Sequence, residues 1–194
     1  MTDAARPSII LVTGPVNGGK TTYAESFARG LLAEGRSVRG VLSRAAYRGT
    51  EKVSYSFEEF PAGAREPYAV RKTDNRASGE GGRGDEPRGE RSGSLETDTG
   101  RSGAFRRWEF LETGFRFAEE ALERSAGAEF VLVDEIGPLE LGGGGLRGAV
   151  ERLVRARDCT PVLTVRDSLL DPLCALLEEL GAAPDTVRII RVGP

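Results

Sequence analysis

Apolar runs alternate with amphipathic stretches along this chain. The first run, Ser8 to Thr13, is continuously apolar, as a parallel strand covered on both faces requires. Lys20 to Glu34 follows with Tyr23, Phe27 and Leu31 at helical spacing, so these three are expected to share a buried face, and Gly35 stops the helix. Ser37 to Ser43 reads as a second strand. From Ala46 to Phe60 polar and apolar residues interleave around Gly49, which predicts an antiparallel hairpin or two short edge strands with one wet face. Pro61, Gly63 and Pro67 mark a loop, and Tyr68 to Lys72 adds a short strand. After Phe105 to Phe110, another short strand, a helix is predicted from Glu112 to Ser125 with Phe115, Ala118 and Leu122 as its apolar stripe. Strands then fall at Glu129 to Val133, Pro161 to Val165 and Val187 to Val192. Helices fall at Leu146 to Arg157 and Ser168 to Leu180, with Pro172 in the first turn of the latter. Gly142 to Gly145 reads as a flexible connector.

About five parallel-type strands alternate with helices, beside a small antiparallel patch. That is the pattern of an α/β three-layer sandwich with a mostly parallel sheet, its site at the carboxyl ends of the strands. A single domain spanning 1–194 is expected. Within it, 76–103 shows no periodicity and holds one large aliphatic residue, Leu95. Such a segment buries too little to offset its ordering entropy and reads as a flexible low-complexity insertion. A lid in which Arg83, Arg88 or Arg91 reaches phosphate, or a segment that binds a protein partner, stays open.

Charge and composition then narrow the chemistry. The formal net charge is -3, from 27 basic and 30 acidic residues, which argues against a general nucleic-acid-binding surface. No apolar run approaches a membrane span, and the amino-terminal stretch lacks a signal-like segment. Cys159 and Cys174 make no zinc set, and a reduced, cytoplasmic protein is expected. The sequence contains 0 histidines, so carboxylates, lysine, arginine, hydroxyls and an oxygen-bound metal must carry any catalysis.

The first predicted strand runs into Gly14-Pro15-Val16-Asn17-Gly18-Gly19-Lys20-Thr21-Thr22, and a helix follows. The spacing of Gly14 and Gly19-Lys20-Thr21 is that of the phosphate-binding P-loop, in the strand–loop–helix context that the motif requires. Gly14, Gly18 and Gly19 are expected to free the backbone to turn, aiming N–H groups at phosphate at the positive end of the helix. Lys20 would meet the β- and γ-phosphates, Thr21 would bind Mg²⁺, and Asn17 would lie near the β–γ bridge. The whole run, Gly14 to Thr22, is the expected nucleotide-binding segment.

A second constellation is Phe130-Val-Leu-Val-Asp134-Glu135. A strand that delivers an aspartate at its carboxyl end suits the Mg²⁺ position, with Asp134 acting through water on the ion that Thr21 ligates. Glu135 points elsewhere and can take a proton from an attacking water. Arg166 closes a strand on the same edge, where it can stabilise developing charge on the γ-phosphate. Asp167 is expected to pair with Arg166 or cap the next helix. Glu140 is left between orienting a nearby group and a plain surface position. Trp108 is read as a packing residue rather than a base-stacking one.

These two strings, Gly14 to Thr22 and Val133-Asp-Glu-Ile-Gly-Pro-Leu-Glu-Leu141, resemble those of a small P-loop nucleoside-triphosphatase family of thermophilic archaea and bacteria that has a cancer-related human member. Phe105 to Leu122 and Pro161 to Leu177 resemble the segments flanking the acidic string there. The resemblance implies a P-loop NTPase fold and Mg²⁺-dependent hydrolysis of ATP or other nucleoside triphosphates to diphosphate and phosphate, with broad base tolerance. It implies phosphate binding by Gly14, Gly19, Lys20 and Thr21 and an acidic site at Asp134 and Glu135. The 76–103 segment departs from the family pattern. Two alternatives stand beside hydrolysis: a nucleotide or small-molecule kinase using the same loop, and a binding module in which the nucleotide switches the 76–103 segment or a partner surface.

Overall fold

The computed structural model describes residues 9–72 and 107–193. The expected insertion at 76–103, together with Ser8 and Phe105 at the starts of two expected strands, lies outside the described residues.

The described elements are β1 (Ile9–Gly14), α1 (Lys20–Ala33), β2 (Val38–Arg48), β3 (Glu51–Phe60), β4 (Arg65–Arg71), β5 (Trp108–Phe110), α2 (Glu112–Glu123), β6 (Phe130–Ile136), α3 (Pro138–Leu141), α4 (Arg147–Ala156), β7 (Thr160–Arg166), α5 (Leu170–Glu179) and β8 (Val187–Arg191). All eight strands join one sheet in the order β5-β4-β3-β2-β6-β7-β1-β8. The strands β2, β6, β7, β1 and β8 run parallel. β3, β4 and β5 extend that sheet antiparallel. This is the P-loop NTPase sandwich, mostly parallel with an antiparallel patch, that the sequence predicts.

Two apolar layers flank the sheet. α1 packs Ala24 and Ala28 against Ile10, Val12, Leu42 and Leu132 on one face. α2 to α5 pack Phe115, Leu122, Val150, Leu173 and Leu177 against Leu11, Val133 and Leu163 on the other. The continuous apolar run of β1 is explained by this double cover, for all six of its residues are buried.

Several expectations change. The face of α1 is centred on Ala24 and Ala28, with Phe27 and Leu31 half-buried and packed against the same cluster as expected, whereas Tyr23 is exposed and stacks on Phe27. Small side chains let the helix lie close to the sheet, so the large residues move to its flanks. β2 continues past Ser43 to Arg48, because Val38 to Val41 pairs with β6 while Gly40 to Arg48 pairs with β3. The four glycines after Leu141 do not form a loose connector. The Gly143 and Gly144 N–H groups donate to Glu140 and Leu139 carbonyls at 3.1 and 2.9 Å, ending the short helix α3.

β7 lies between β1 and β6, with Gly14 level with Arg166 and Val133 level with Leu163. The glycine loop and the acidic pair are therefore two strand spacings apart, about 10 Å. Arg166 ends the strand between them.

Candidate active site

The loop after β1 turns by a mechanism that differs in part from the expected one. Gly19 has φ 83°, the left-handed region that favours glycine, and Asn17 shares that region at φ 61°. Gly14 has no such dihedral. It is needed because a Cβ there would sit 2.3 Å from the Val192 carbonyl oxygen. Lys20 Nζ donates to the carbonyls of Gly14 at 3.1 Å and Pro15 at 2.7 Å. Burial and the nearby Arg166 lower the Lys20 ammonium below the usual lysine value, while Glu135, Asp134 and Asp167 act the other way.

Val16, Asn17, Gly18, Gly19, Lys20, Thr21, Thr22, Asp134, Glu135 and Arg166 line one cavity of about 380 Å³. Gly14 and Pro15 do not line it and serve the loop through their carbonyls.

Asp134 is 2 % exposed at the end of β6. Its carboxylate accepts the Ser43 amide at 3.0 Å and the Thr164 hydroxyl at 2.5 Å, and the Thr21 hydroxyl also hydrogen-bonds to it. Burial raises its pKa, the Thr164 hydrogen bond lowers it, and the Glu135 charge raises it further. A desolvated carboxylate beside a second one is placed to favour a cation.

Glu135 has φ 67°, a costly conformation for a residue with a side chain. The backbone leaves the ladder at this point, for the β6–β7 register shifts between Val133 and Ile136. Its N–H donates to Thr164 Oγ1 at 2.7 Å. Oε1 accepts Arg166 Nη2 at 3.1 Å, and Oε2 accepts Ser43 Oγ at 3.0 Å. The Tyr68 hydroxyl lies 2.8 Å from Ser43 Oγ. The serine hydroxyl has one hydrogen and donates it to the carboxylate, so Tyr68 donates to Ser43 and a relay of two hydroxyls holds Glu135.

Reading the residues in order missed Ser43, Thr164, Tyr68 and Lys52. Ser43 and Thr164 are polar residues near the carboxyl ends of predicted parallel strands, and that position is itself a signal. Lys52 belongs to the hairpin. It lines the loop cavity and donates to Asn17 Oδ1 at 3.0 Å, a contact made only by the turn back of β3. Arg44 also lines the cavity, but its guanidinium is held by Glu58 and Glu25.

Two expectations are corrected. Asp167 neither pairs with Arg166 nor caps the helix. It accepts the Thr13 hydroxyl at 2.7 Å and ties the ends of β1 and β7 together. Glu140 is not a surface residue. It is 7 % exposed and its carboxylate accepts the Gly137 and Leu146 N–H groups at 2.9 and 3.4 Å.

The donors present fit a hard cation. The Thr21 hydroxyl and the Asp134 carboxylate are adjacent, and both offer oxygen. Among the described residues no group of three or more His, Cys, Asp or Glu could hold a metal by itself. A cation at this position would take its remaining ligands from phosphate and water, the manner in which Mg²⁺ is commonly held.

An open parallel sheet with a glycine loop leading into a helix, and an acidic strand two places away, defines the P-loop NTPase fold class. No protein-family model matches the chain, and no curated protein sequence matches it either. Two solved structures share the fold. The solution structure of a human cancer-related nucleoside triphosphatase aligns with TM-score 0.62 and 18% identity, over 95% of this chain and 88% of that one. The crystal structure of THEP1 from the hyperthermophile Aquifex aeolicus aligns with TM-score 0.61 and 18% identity, over 95% of this chain and 90% of that one. At this identity the likeness is one of fold. Among the described residues no helix is long and apolar enough to cross a membrane.

Proposed function

We propose that this protein hydrolyses nucleoside triphosphates to diphosphate and phosphate, as a member of the same family as the human triphosphatase and THEP1. The observation that carries the reading is the Glu135 carboxylate, fixed by Arg166 and the Ser43 hydroxyl in the same cavity as Lys20 and Thr21. In this reading the loop N–H groups and Lys20 bind the β- and γ-phosphates. Thr21 and Asp134 would hold Mg²⁺, which supplies charge neutralisation on the phosphates when bound. Glu135 accepts a proton from water as the water oxygen bonds to the γ-phosphorus and the bond to the β–γ bridging oxygen breaks. Arg166 orients Glu135 and adds positive charge where negative charge develops.

Water rather than a second substrate is favoured as the acceptor because the human neighbour is named a triphosphatase. Broad base tolerance rests on the sequence, where no Asn-Lys-x-Asp guanine-reading string occurs. A single domain in the cytoplasm is part of the proposal and rests on the length and composition of the sequence.

The test is Glu135→Gln. Phosphate release from ATP with Mg²⁺ is expected to fall by about 100-fold or more, the usual share of a general base, while nucleotide affinity stays within a few-fold. Undiminished release in this variant would remove Glu135 from the role of base.

A further inference from the structure

A second cavity, of about 200 Å³, adjoins the first. The two share Tyr55, Asp134, Glu135, Ile136 and Arg166 as walls. The remaining walls of the second are of a different character. Rings of Phe57, Tyr68, Trp108, Phe110 and Phe115 line it from the antiparallel strands and α2, and Leu139 and Leu146 from the loop side. Its aromatic wall is built: Phe57 and Tyr68 stack with centroids 3.9 Å apart, and Trp108 meets Tyr55 edge-on at 5.0 Å. Neither the phosphate-binding loop nor the hydrolytic reading uses this space.

We infer that this cavity is a binding site for a small, flat, uncharged aromatic molecule that bears a hydroxyl or amine and donates it to Glu135. Size supports a single ring, for an apolar cavity of about 150 Å³ accommodates benzene. Aromatic walls favour a planar guest through edge and face contacts. Two carboxylates, Asp134 and Glu135, outnumber the one guanidinium, Arg166, in its wall, which disfavours an anion. Glu135 has room for such a donor. Each of its oxygens accepts one hydrogen bond, from Ser43 or Arg166, and a carboxylate oxygen can accept two. The consequence for turnover rests on the hydrolytic reading: a donor seated on Glu135 stabilises the ionised carboxylate and makes it a weaker base towards water, so the occupied site slows phosphate release.

Trp108 is the single tryptophan of the chain and lies in the wall, so its fluorescence reports occupancy directly. The full chain is titrated with benzyl alcohol, and separately with benzoate, an anion of similar size. Saturable change of Trp108 emission with benzyl alcohol, at least tenfold weaker with benzoate, is the expected result. Phosphate release from ATP at saturating benzyl alcohol is expected to drop about fivefold or more. Ala69 also lines the cavity, and Ala69→Val reduces its volume with a residue suited to a strand. In that variant, its melt checked against the parent, the benzyl alcohol response of Trp108 is expected to shift at least tenfold to higher concentration. The ratio of phosphate release with and without benzyl alcohol is expected to return towards one. Saturable Trp108 emission change in a protein that releases no phosphate would uphold the site and overturn the hydrolytic reading. Normal phosphate release with no saturable emission change, or an equal response to benzoate, would overturn the site and leave hydrolysis standing.

Discussion

Thr164 touches both acids through one hydroxyl. Oγ1 donates to Asp134 and accepts the Glu135 N–H, so the side chain fixes the carboxylate and the backbone turn together. It is 1 % exposed and stands in the wall of the loop cavity. Thr164→Val keeps the shape and removes the hydroxyl. It is expected to cost about 1–3 kcal/mol of stability, from two buried polar groups losing their partner. Phosphate release is expected to fall by about 10- to 100-fold, the usual cost of losing a group that orients a ligand residue. Thr164→Ser is expected to restore most of the activity. Chemical denaturation and a phosphate assay on the two variants check this, and equal activity in Val and Ser variants would show that packing alone matters at this position.

At the scale of elements, the glycine loop depends on the end of the last strand. The Val192 N–H donates to the Thr13 carbonyl at 2.8 Å, bringing the Val192 carbonyl over Gly14. Gly14→Ala places a methyl 2.3 Å from that oxygen and 3.1 Å from Val192 Cγ2, so β1 and the segment after β8 must separate. A loss of about 1–3 kcal/mol is expected from this overpacking, together with weaker nucleotide binding as the loop moves. Gly19→Ala meets nothing within 4 Å and is strained only by its φ of 83°. It is expected to cost about 1–2 kcal/mol, the penalty of a left-handed residue with a side chain. Urea denaturation and nucleotide titration of both variants separate the steric cause from the torsional one. The P-loop spacing was legible in the sequence, but the reason for its first glycine was not, because Val192 comes from the far end of the chain. The same holds for β2. Its first half reads as a parallel strand, and its extension to Arg48 follows from a pairing with β3 that interleaved residues announce only loosely.

For the molecule as a whole, Glu140 sets a pH dependence. Burial, against the Gly137 and Leu146 N–H groups, raises its carboxyl to about 7 from 4.5. The folded protein therefore holds a proton between about pH 4.5 and 7 that the unfolded chain has released. The contribution is fully present below pH 4.5 and is lost as pH rises through 7, for a total of up to about 3 kcal/mol. Glu25 and Glu58 are shifted the other way, through their partner arginines, and their contributions are lost only on acidification below the ordinary carboxylate range. Between about pH 5 and 7.5 the stability of the parent is expected to decline, and Glu140→Gln is expected to flatten that decline. Urea midpoints at several pH values measure both. An unchanged slope in the variant would assign the dependence to other groups.

The sequence by itself determined the parallel strands, the helices between them, the glycine loop and the acidic strand end, because each is written in local spacing that nearest neighbours along the chain enforce. It also placed Lys20, Thr21, Asp134, Glu135 and Arg166 at one edge, since strands in parallel deliver their carboxyl ends together. Only the tertiary structure decided how those groups are held. Ser43 and Thr164 hold Asp134 from the two strands beside β6, 91 and 30 residues away in sequence, and Tyr68 reaches Ser43 past β3, 25 residues away. The aromatic cavity likewise needs β3, β4, β5 and α2 to meet the end of β6. Such contacts depend on strand order, which the periodicity of one strand cannot encode.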